Sequence, residues 1–536
     1  MVEYSQWFRA GLVQQDLWFR KRLKLVKTGY DRTLCCMEGT RESILNNIAA
    51  WATNGSGQNN VPQNNIYWIY GLPGIGKTSL AHSICETFDD QKQLVGAFFC
   101  QRDDTNLSEP RNILPTLIYK LAEISPTFRK IVAECLRNSP NLTIESMKDT
   151  IFLDFIRSLP LPPNEHSLVF VIDALDECGN TQSRPDVLKS LVDAVALAPW
   201  LRIILTSRPE ADIERFFNSL AGSSHLSYDL ATDPKASDDL RTFARSQFDM
   251  VASHWHLSTP WPEEAGFNRA VSRANGLFIF IKTLVLALKK CEDPEESLKE
   301  ALQGSAGTGL DSLYGLYSSI LRTHGYIRGF WRLLVVITTA QYRPLSKAPI
   351  AKLTGVKPNL VETFVDALSS LLYRDEGDNG AIRVRHLSIS DFFLSDRCHF
   401  QVKLQEAHAQ QGIACLETMV KQLRFNICKL EDSRLANTDV KDLQSRIEQN
   451  ISDPLQYSSL YWSTHLCFSP DNISRDPLAL GKLKEFFEGL YPLFWIEVLS
   501  IMGMVPVGAP SLRRVATWVR VSTDRYFAFQ SASNSP

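Results

Sequence analysis

Short uninterrupted apolar runs recur along the first part of the chain, at residues 66–70 (IYWIY), 95–99 (VGAFF), 168–172 (LVFVI) and 201–205 (LRIIL). Between them the apolar positions fall at helical spacing. One such run alone could be a piece of buried helix. Four runs in regular alternation with helical stretches predict strands, and hence a three-layer α/β unit around a parallel sheet. Upstream, residues 1–52 read as mostly helical, with Ile44, Leu45, Ile48 and Trp51 at the spacing of one helix face. Residues 53–65 (TNGSGQNNVPQNN) are polar, contain Gly and Pro, and read as a loop or linker.

After about residue 215 the strand signals stop. Residues 237–248, 265–290, 310–321 and 329–340 carry helical patterns, and 358–370 continues them. Two short strands are then expected near 371–374 and 381–385, flanking the turn sequence DEGDNG at 375–380. Helices followed by a small hairpin are the layout of a winged helix. From 404 to the end the pattern is helical, and the aromatics Tyr461, Trp462 and Trp495 read as core packing. No repeat of 20 to 50 residues is evident. The expected order is a helical lead-in (1–52), a polar linker (53–65), an α/β domain (66–215), a helical domain (216–309), a winged-helix domain (310–400) and a C-terminal α-helical region (401–536).

Composition narrows the class. The chain has 536 residues, enough for roughly three to four domains. Hydrophobic residues at 44% and charged residues at 22% exclude wholesale disorder. The net charge of −2 argues against a nucleic-acid protein held by bulk positive charge. The 11 cysteines never form a CxxC pair, which points to a reduced, cytoplasmic protein without structural zinc. The first 27 residues are amphipathic and mixed in charge, unlike an apolar signal core. The longest apolar run, 493–509, contains Glu497 and Pro506, and 276–288 contains Lys282. Both fall short of the about 20 residues a span needs and read as buried helices.

The chemistry concentrates after the first strand. Residues 71–78, GLPGIGKT, fit G-x-x-x-x-G-K-[ST] in full. Gly71, Gly74 and Gly76, with Ile75 between, allow successive backbone N–H groups to turn inward as an anion nest. A following helix adds its positive end. Lys77 is placed to reach the β- and γ-phosphates of a nucleotide, Thr78 to give a hydroxyl to Mg²⁺, and Ser79 lies just beyond.

The run LVFVID ends a buried strand in Asp173, the position at which P-loop enzymes hold Mg²⁺. Asp176 and Glu177 follow at once and offer a base to orient or deprotonate water. The next strand ends in Thr206-Ser207-Arg208-Pro209. A parallel sheet presents such strand ends to the ligand crevice, so Arg208 is a candidate contact for a γ-phosphate. Arg102, after the second strand, is a further candidate, set against its reading as an ordinary surface charge.

Together GLPGIGKTS, FFCQRD (98–103), VFVIDALDEC and IILTSRPE resemble the NACHT class of signal-transducing P-loop NTPases. NGLFIF (275–280), LDSLY (310–314), HLSISDFF (386–393) and CMEGTRESI (36–44) resemble segments of fungal NOD-like receptors, including vegetative-incompatibility proteins. The resemblance spans most of residues 30–500. It implies a nucleotide-binding domain, a helical domain and a winged helix that close around ADP, with ATP favouring an open, homo-oligomeric form. Carried over by position, it places Gly39, Thr40 and Arg41 near the adenine and brings His386 to a nucleotide phosphate. Related families often set a Pro against the base; here Gly276-Leu277-Phe278 stands instead, which leaves ATP against GTP open.

The leading expectation is an ATP- and Mg²⁺-binding, slowly hydrolysing switch whose bound nucleotide controls assembly. The alternatives are a P-loop ATPase or kinase of another class, or a nucleotide-binding scaffold without turnover. The acidic DEGDNG turn would repel phosphate, so no nucleic-acid partner is expected.

Overall fold

Continuous apolar runs of five to seven residues, buried on both faces, are what a parallel sheet covered by helices requires. The computed structural model describes residues 19, 23, 25–26, 28–53, 64–138, 149–157, 167–220, 225–303, 309–325, 327, 329–340, 344–432, 434–469 and 477–533. Most of the expected linker, and residues 1–18, lie outside this set. The chain forms two compact units, Met1–Leu316 and Tyr317–Pro536.

In the first unit β1 (Ile66–Tyr70), β2 (Leu94–Phe99), β3 (Leu168–Asp173), β4 (Leu201–Ser207) and β5 (His225–Asp229) build one parallel sheet. Its order is β2-β3-β4-β1-β5. Tyr70 lies level with Ser207, and Ile172 with Leu205. The carboxyl ends of β1, β3 and β4 therefore meet along one edge. Phe170, Ile172, Ile203 and Leu205 are fully buried between sheet and helices. Arg202, inside the β4 run, is buried by resting over the Trp51 ring at 5.6 Å and donating to the Pro199 carbonyl.

β5 corrects the expectation that strands end near 215. Its sequence, HLSYD, is polar, and the strand sits half-exposed on the sheet edge, where one face needs no apolar cover. The expected helical lead-in is also corrected. The helix Glu42–Thr53 forms as predicted and buries Ile44 and Ile48. Residues 28–41, however, are not a helix and hold only the short turn Arg32–Leu34 and a turn around Gly39. This segment is held by side chains instead. The Thr28 hydroxyl donates to the Ala97 carbonyl and accepts the Phe99 N–H, covering the open edge of β2. His82 accepts the Asp31 N–H at 3.0 Å and stacks on Phe99, and burial pushes its pKa down to about 4.

The expected helix 265–290 is two helices, Glu264–Ala274 and Phe278–Leu288. Asn275 and Gly276 both have positive φ, 46° and 83°, the left-handed ending that stops a helix.

In the second unit the helices Phe330–Thr339, Lys347–Thr354 and Pro358–Ala367 precede the antiparallel pair β6 (Leu372–Asp375) and β7 (Ala381–Val384). Asp375 closes the acidic turn by accepting the Gly377 N–H and pairing with Arg383. The C-terminal region is not helical throughout. Residues 423–432 and 434–442 are turns and loop, pinned where Glu497 accepts the N–H groups of Asn426 and Ile427. Of the three aromatics expected in the core, Trp462 and Trp495 are buried, with rings 5.7 Å apart, while Tyr461 is only half-buried. The apolar run at 493–509 is only partly buried: Leu493 is 63% exposed on the helix Tyr491–Ile501. Among the described residues no helix is long and apolar enough to cross a membrane.

Candidate functional site

The loop between β1 and the helix Lys77–Asp90 uses its glycines for two reasons, space at Gly71 and backbone conformation at Gly74 and Gly76. A Cβ on Gly71 would lie 3.2 Å from Ile75 and 3.4 Å from Leu230. Gly74 and Gly76 have φ of 83° and 100°, which other residues rarely adopt. Gly76 opens the helix without a side-chain cap, so the first helical N–H groups keep their donors for another acceptor. Lys77 folds over the loop, its ammonium donating to the carbonyls of Gly71 at 2.8 Å and Leu72 at 3.0 Å. Desolvation pushes its pKa down to about 8, against the pull of Asp176, Asp173 and Glu177. Thr78 is exposed and Ser79 half-buried in the first turn.

Asp173 ends β3 and is buried. The Thr206 hydroxyl on the adjacent β4 donates to its carboxylate and accepts the Ala174 N–H at 2.9 Å. Desolvation raises the Asp173 pKa, while the Thr206 and Thr78 hydroxyls and the Lys77 charge oppose that rise. Ala174 takes a left-handed turn, φ 55°, and the short turn Leu175–Glu177 then brings two further acids to the same edge.

These two acids do different work. Asp176 is buried and uses both oxygens on Arg208: one accepts its backbone N–H at 2.9 Å, the other faces its guanidinium at 3.3 Å. It is a tether that fixes the Arg208 side chain. Glu177 accepts only the Arg102 N–H, at 3.4 Å, among the described hydrogen bonds. Desolvation first, and then the charge of Asp176, push its pKa up to about 8. Such a carboxyl holds a proton at neutral pH and gives it up readily once a cation lies near.

Arg41 reaches the loop from the lead-in, and Thr40 stands just before it. Thr40 is buried and donates its hydroxyl to the Met37 carbonyl, closing a turn. Arg41, only 3% exposed, pairs with Asp233 at 2.8 Å and donates to the Ile75 carbonyl at 3.0 Å. His386 lies in the second unit. It caps the helix Leu387–Leu394, its Nδ1 accepting the Ser388 N–H, and Ser388 in turn meets the Tyr317 hydroxyl at 2.9 Å. The sequence reading missed Thr206 as a partner of Asp173, and also missed Asp233 and Asp239. Only the position of Thr206 beside Ser207-Arg208 at a strand end gave a signal.

The sheet order, the glycine loop after β1 and the buried Asp at the end of β3 settle the architecture. The first unit has the fold of a P-loop NTPase. The family described as nephrocystin 3, N-terminal, matches residues 39–208, a span that starts at the Gly39 turn and ends on Arg208. No curated protein sequence matches the chain. Among solved structures, a Walker-type ATPase of Pyrococcus abyssi shares 14% identity, covering 69% of this chain and 99% of its own, with a TM-score of 0.32. Cdc6p from Pyrobaculum aerophilum shares 13%, covering 68% and 93%, at 0.32. Drosophila ORC bound to DNA shares 14%, covering 68% and 97%, at 0.31. These superpositions are loose, and the P-loop assignment rests on the strand order and the loop itself.

The residues fit a nucleotide with Mg²⁺. Among the described residues no three His, Cys, Asp or Glu side chains converge as a ready-made metal cage. Mg²⁺ needs no such cage: it takes one or two carboxylates and completes its shell with water and phosphate oxygens. Asp173, with the Thr78 hydroxyl beside it, supplies that kind of partial shell. The raised pKa values of Asp173 and Glu177 mark a spot where added positive charge is favoured.

Proposed function

We propose that the first unit binds ATP or ADP with Mg²⁺, hydrolyses ATP slowly, and serves as a signalling switch of the NACHT type found in fungal NOD-like receptors. The observation that carries this reading is the meeting of the glycine loop, Lys77, Asp173, Glu177 and Arg208 at one end of the sheet. Loop N–H groups and Lys77 bind the phosphates. Thr78 and Asp173 hold Mg²⁺, which neutralises phosphate charge. Glu177 accepts a proton from the attacking water. Arg208, held by Asp176, faces the terminal phosphate. The second unit, with its helices and acidic hairpin, is proposed as a winged helix followed by a helical region, and the triphosphate form as the one that assembles into homo-oligomers. The motif resemblance supports the signalling role and an adenine nucleotide, while Gly276-Leu277-Phe278 in place of a Pro keeps GTP as the competing nucleotide.

The test is to release the bound nucleotide from the purified protein with acid and identify it, then to titrate the stripped protein with ATP, ADP and GTP. Retained ADP, with adenine nucleotides preferred, is the expected result. A stripped protein that binds none of the three would sink the reading.

A further inference from the structure

Two carbonyl groups of the phosphate loop, those of Gly74 and Ile75, are held by residues from outside the loop. Ile75 stands between two glycines with positive φ, so the peptide planes of the loop alternate in direction. The Ile75 carbonyl accepts from the Arg41 guanidinium at 3.0 Å. The Gly74 carbonyl accepts the Ile279 N–H at 3.2 Å, from the start of the helix Phe278–Leu288. A peptide unit is rigid. The plane that carries the Ile75 carbonyl also carries the Gly76 N–H, one of the donors a nest turns toward phosphate. An anion that fixes this N–H therefore fixes the carbonyl that Arg41 touches.

Arg41 passes that orientation on. Its guanidinium pairs with Asp233, which stands just ahead of the helix Ala236–Trp255. Its own backbone N–H donates to Asp239, in the first turn of that helix, at 3.1 Å. The guanidinium also lies over the Phe278 ring at 5.2 Å. Both carboxylates and Arg41 are buried, so water does not substitute for these contacts. Arg41 also has φ 60°, a conformation unusual for a non-glycine residue, and it is kept there by partners on both sides.

We infer that Arg41 is a positioning residue that couples the peptide orientation of the phosphate loop to the helices Ala236–Trp255 and Phe278–Leu288, so that nucleotide at the loop tightens the helical part of the first unit. This deepens the nucleotide reading and rests on it.

Hydrogen exchange on the full chain, with and without saturating ADP and Mg²⁺, tests the coupling. In the wild type ADP should slow exchange both at the helix start 77–81 and at residues 238–248, the latter by roughly 5- to 150-fold, the usual size of a coupling between sites. In Arg41→Met the slowing at 77–81 should persist and that at 238–248 should fall below about 2-fold. Asp233→Asn, nearly isosteric, should do the same and serves if Arg41→Met does not fold. A purely structural Arg41 would change exchange equally with and without ADP, so the nucleotide-dependent difference is the decisive readout. Slowing at 77–81 without any at 238–248 in the wild type would overturn the coupling, as would full slowing at 238–248 in both variants. No slowing at either place in the wild type would overturn the nucleotide reading itself.

Discussion

Lys77 and Glu177 are set against each other by the same desolvated edge. Burial pushes the ammonium down to about 8 and the carboxyl up to about 8. The signs lead to opposite pH effects. Glu177 acts as a base only after losing its proton, so turnover should rise as pH climbs toward about 8. Lys77 loses its charge above about 8, so nucleotide capture should weaken there. Steady-state kcat/KM, which reports the free protein, should rise through neutral pH and fall again in the alkaline range. Glu177→Gln should lower single-turnover hydrolysis by roughly 10²- to 10⁴-fold, abolish the rising limb and leave ATP bound. Unchanged hydrolysis would move the base elsewhere. Lys77→Ala should weaken ATP and ADP alike by roughly 10- to 150-fold, the value of a charge-assisted contact, in a protein that still melts cooperatively. Wild-type affinity in that variant would remove Lys77 from the phosphates. These residues were readable in the sequence because their chemistry is local: a loop of eight residues, and acids directly after an apolar strand. Arg41 was readable only as a position. Its partner Asp233 lies 192 residues downstream, and nothing in either segment announces the pair.

At the scale of elements, the sequence revealed what burial on both faces demands. β1, β3 and β4 are apolar because helices cover them on each side, and all three stand where expected. β5 escaped because an edge strand needs only one good neighbour, and HLSYD pairs with β1 without an apolar pattern. The break at Asn275-Gly276 was written in the sequence but hidden by apolar spacing that continues on both sides. Two glycines test how far backbone conformation alone holds these elements. Gly276 has φ 83°, and a Cβ there would meet nothing within 4 Å. Gly276→Ala should therefore lower stability by only the left-handed backbone cost, about 1–2 kcal/mol. Gly179, just after the Glu177 turn, has φ 63°, and its Cβ would sit 2.3 Å from Pro110 and 2.5 Å from the Ser183 hydroxyl. Gly179→Ala should cost a further 1–3 kcal/mol or so for overpacking, and should disturb Glu177 as well. Denaturant titration of the two variants compares them directly. Equal losses would show that the turn around Gly179 yields easily.

For the whole molecule, the question is how a site in the first unit could govern a second unit that carries its own core. The resemblance assigns His386 to a nucleotide phosphate. Within the second unit the same residue has a structural role, because it caps the helix Leu387–Leu394 through Ser388, whose hydroxyl meets Tyr317. A single replacement confounds the two roles, since losing a cap costs about 1 kcal/mol by itself. His386→Leu removes both roles. His386→Asn keeps a good cap, as an Asn oxygen accepts the same N–H, but removes the imidazole. Thermal melting should therefore show His386→Leu destabilised and His386→Asn close to wild type. If the imidazole also binds phosphate in the closed ADP form, its loss lowers ADP affinity by its differential contact energy, roughly 10- to 150-fold, and ATP affinity less. His386→Asn should then show a reduced ADP preference and, by light scattering, a larger assembled fraction at equal stability. An Asn variant with normal melting, normal ADP-to-ATP ratio and no added assembly would confine His386 to its cap. The proposed link between nucleotide and assembly would then have to run through the helices of the first unit, where Arg41 joins the loop to Asp233 and Asp239.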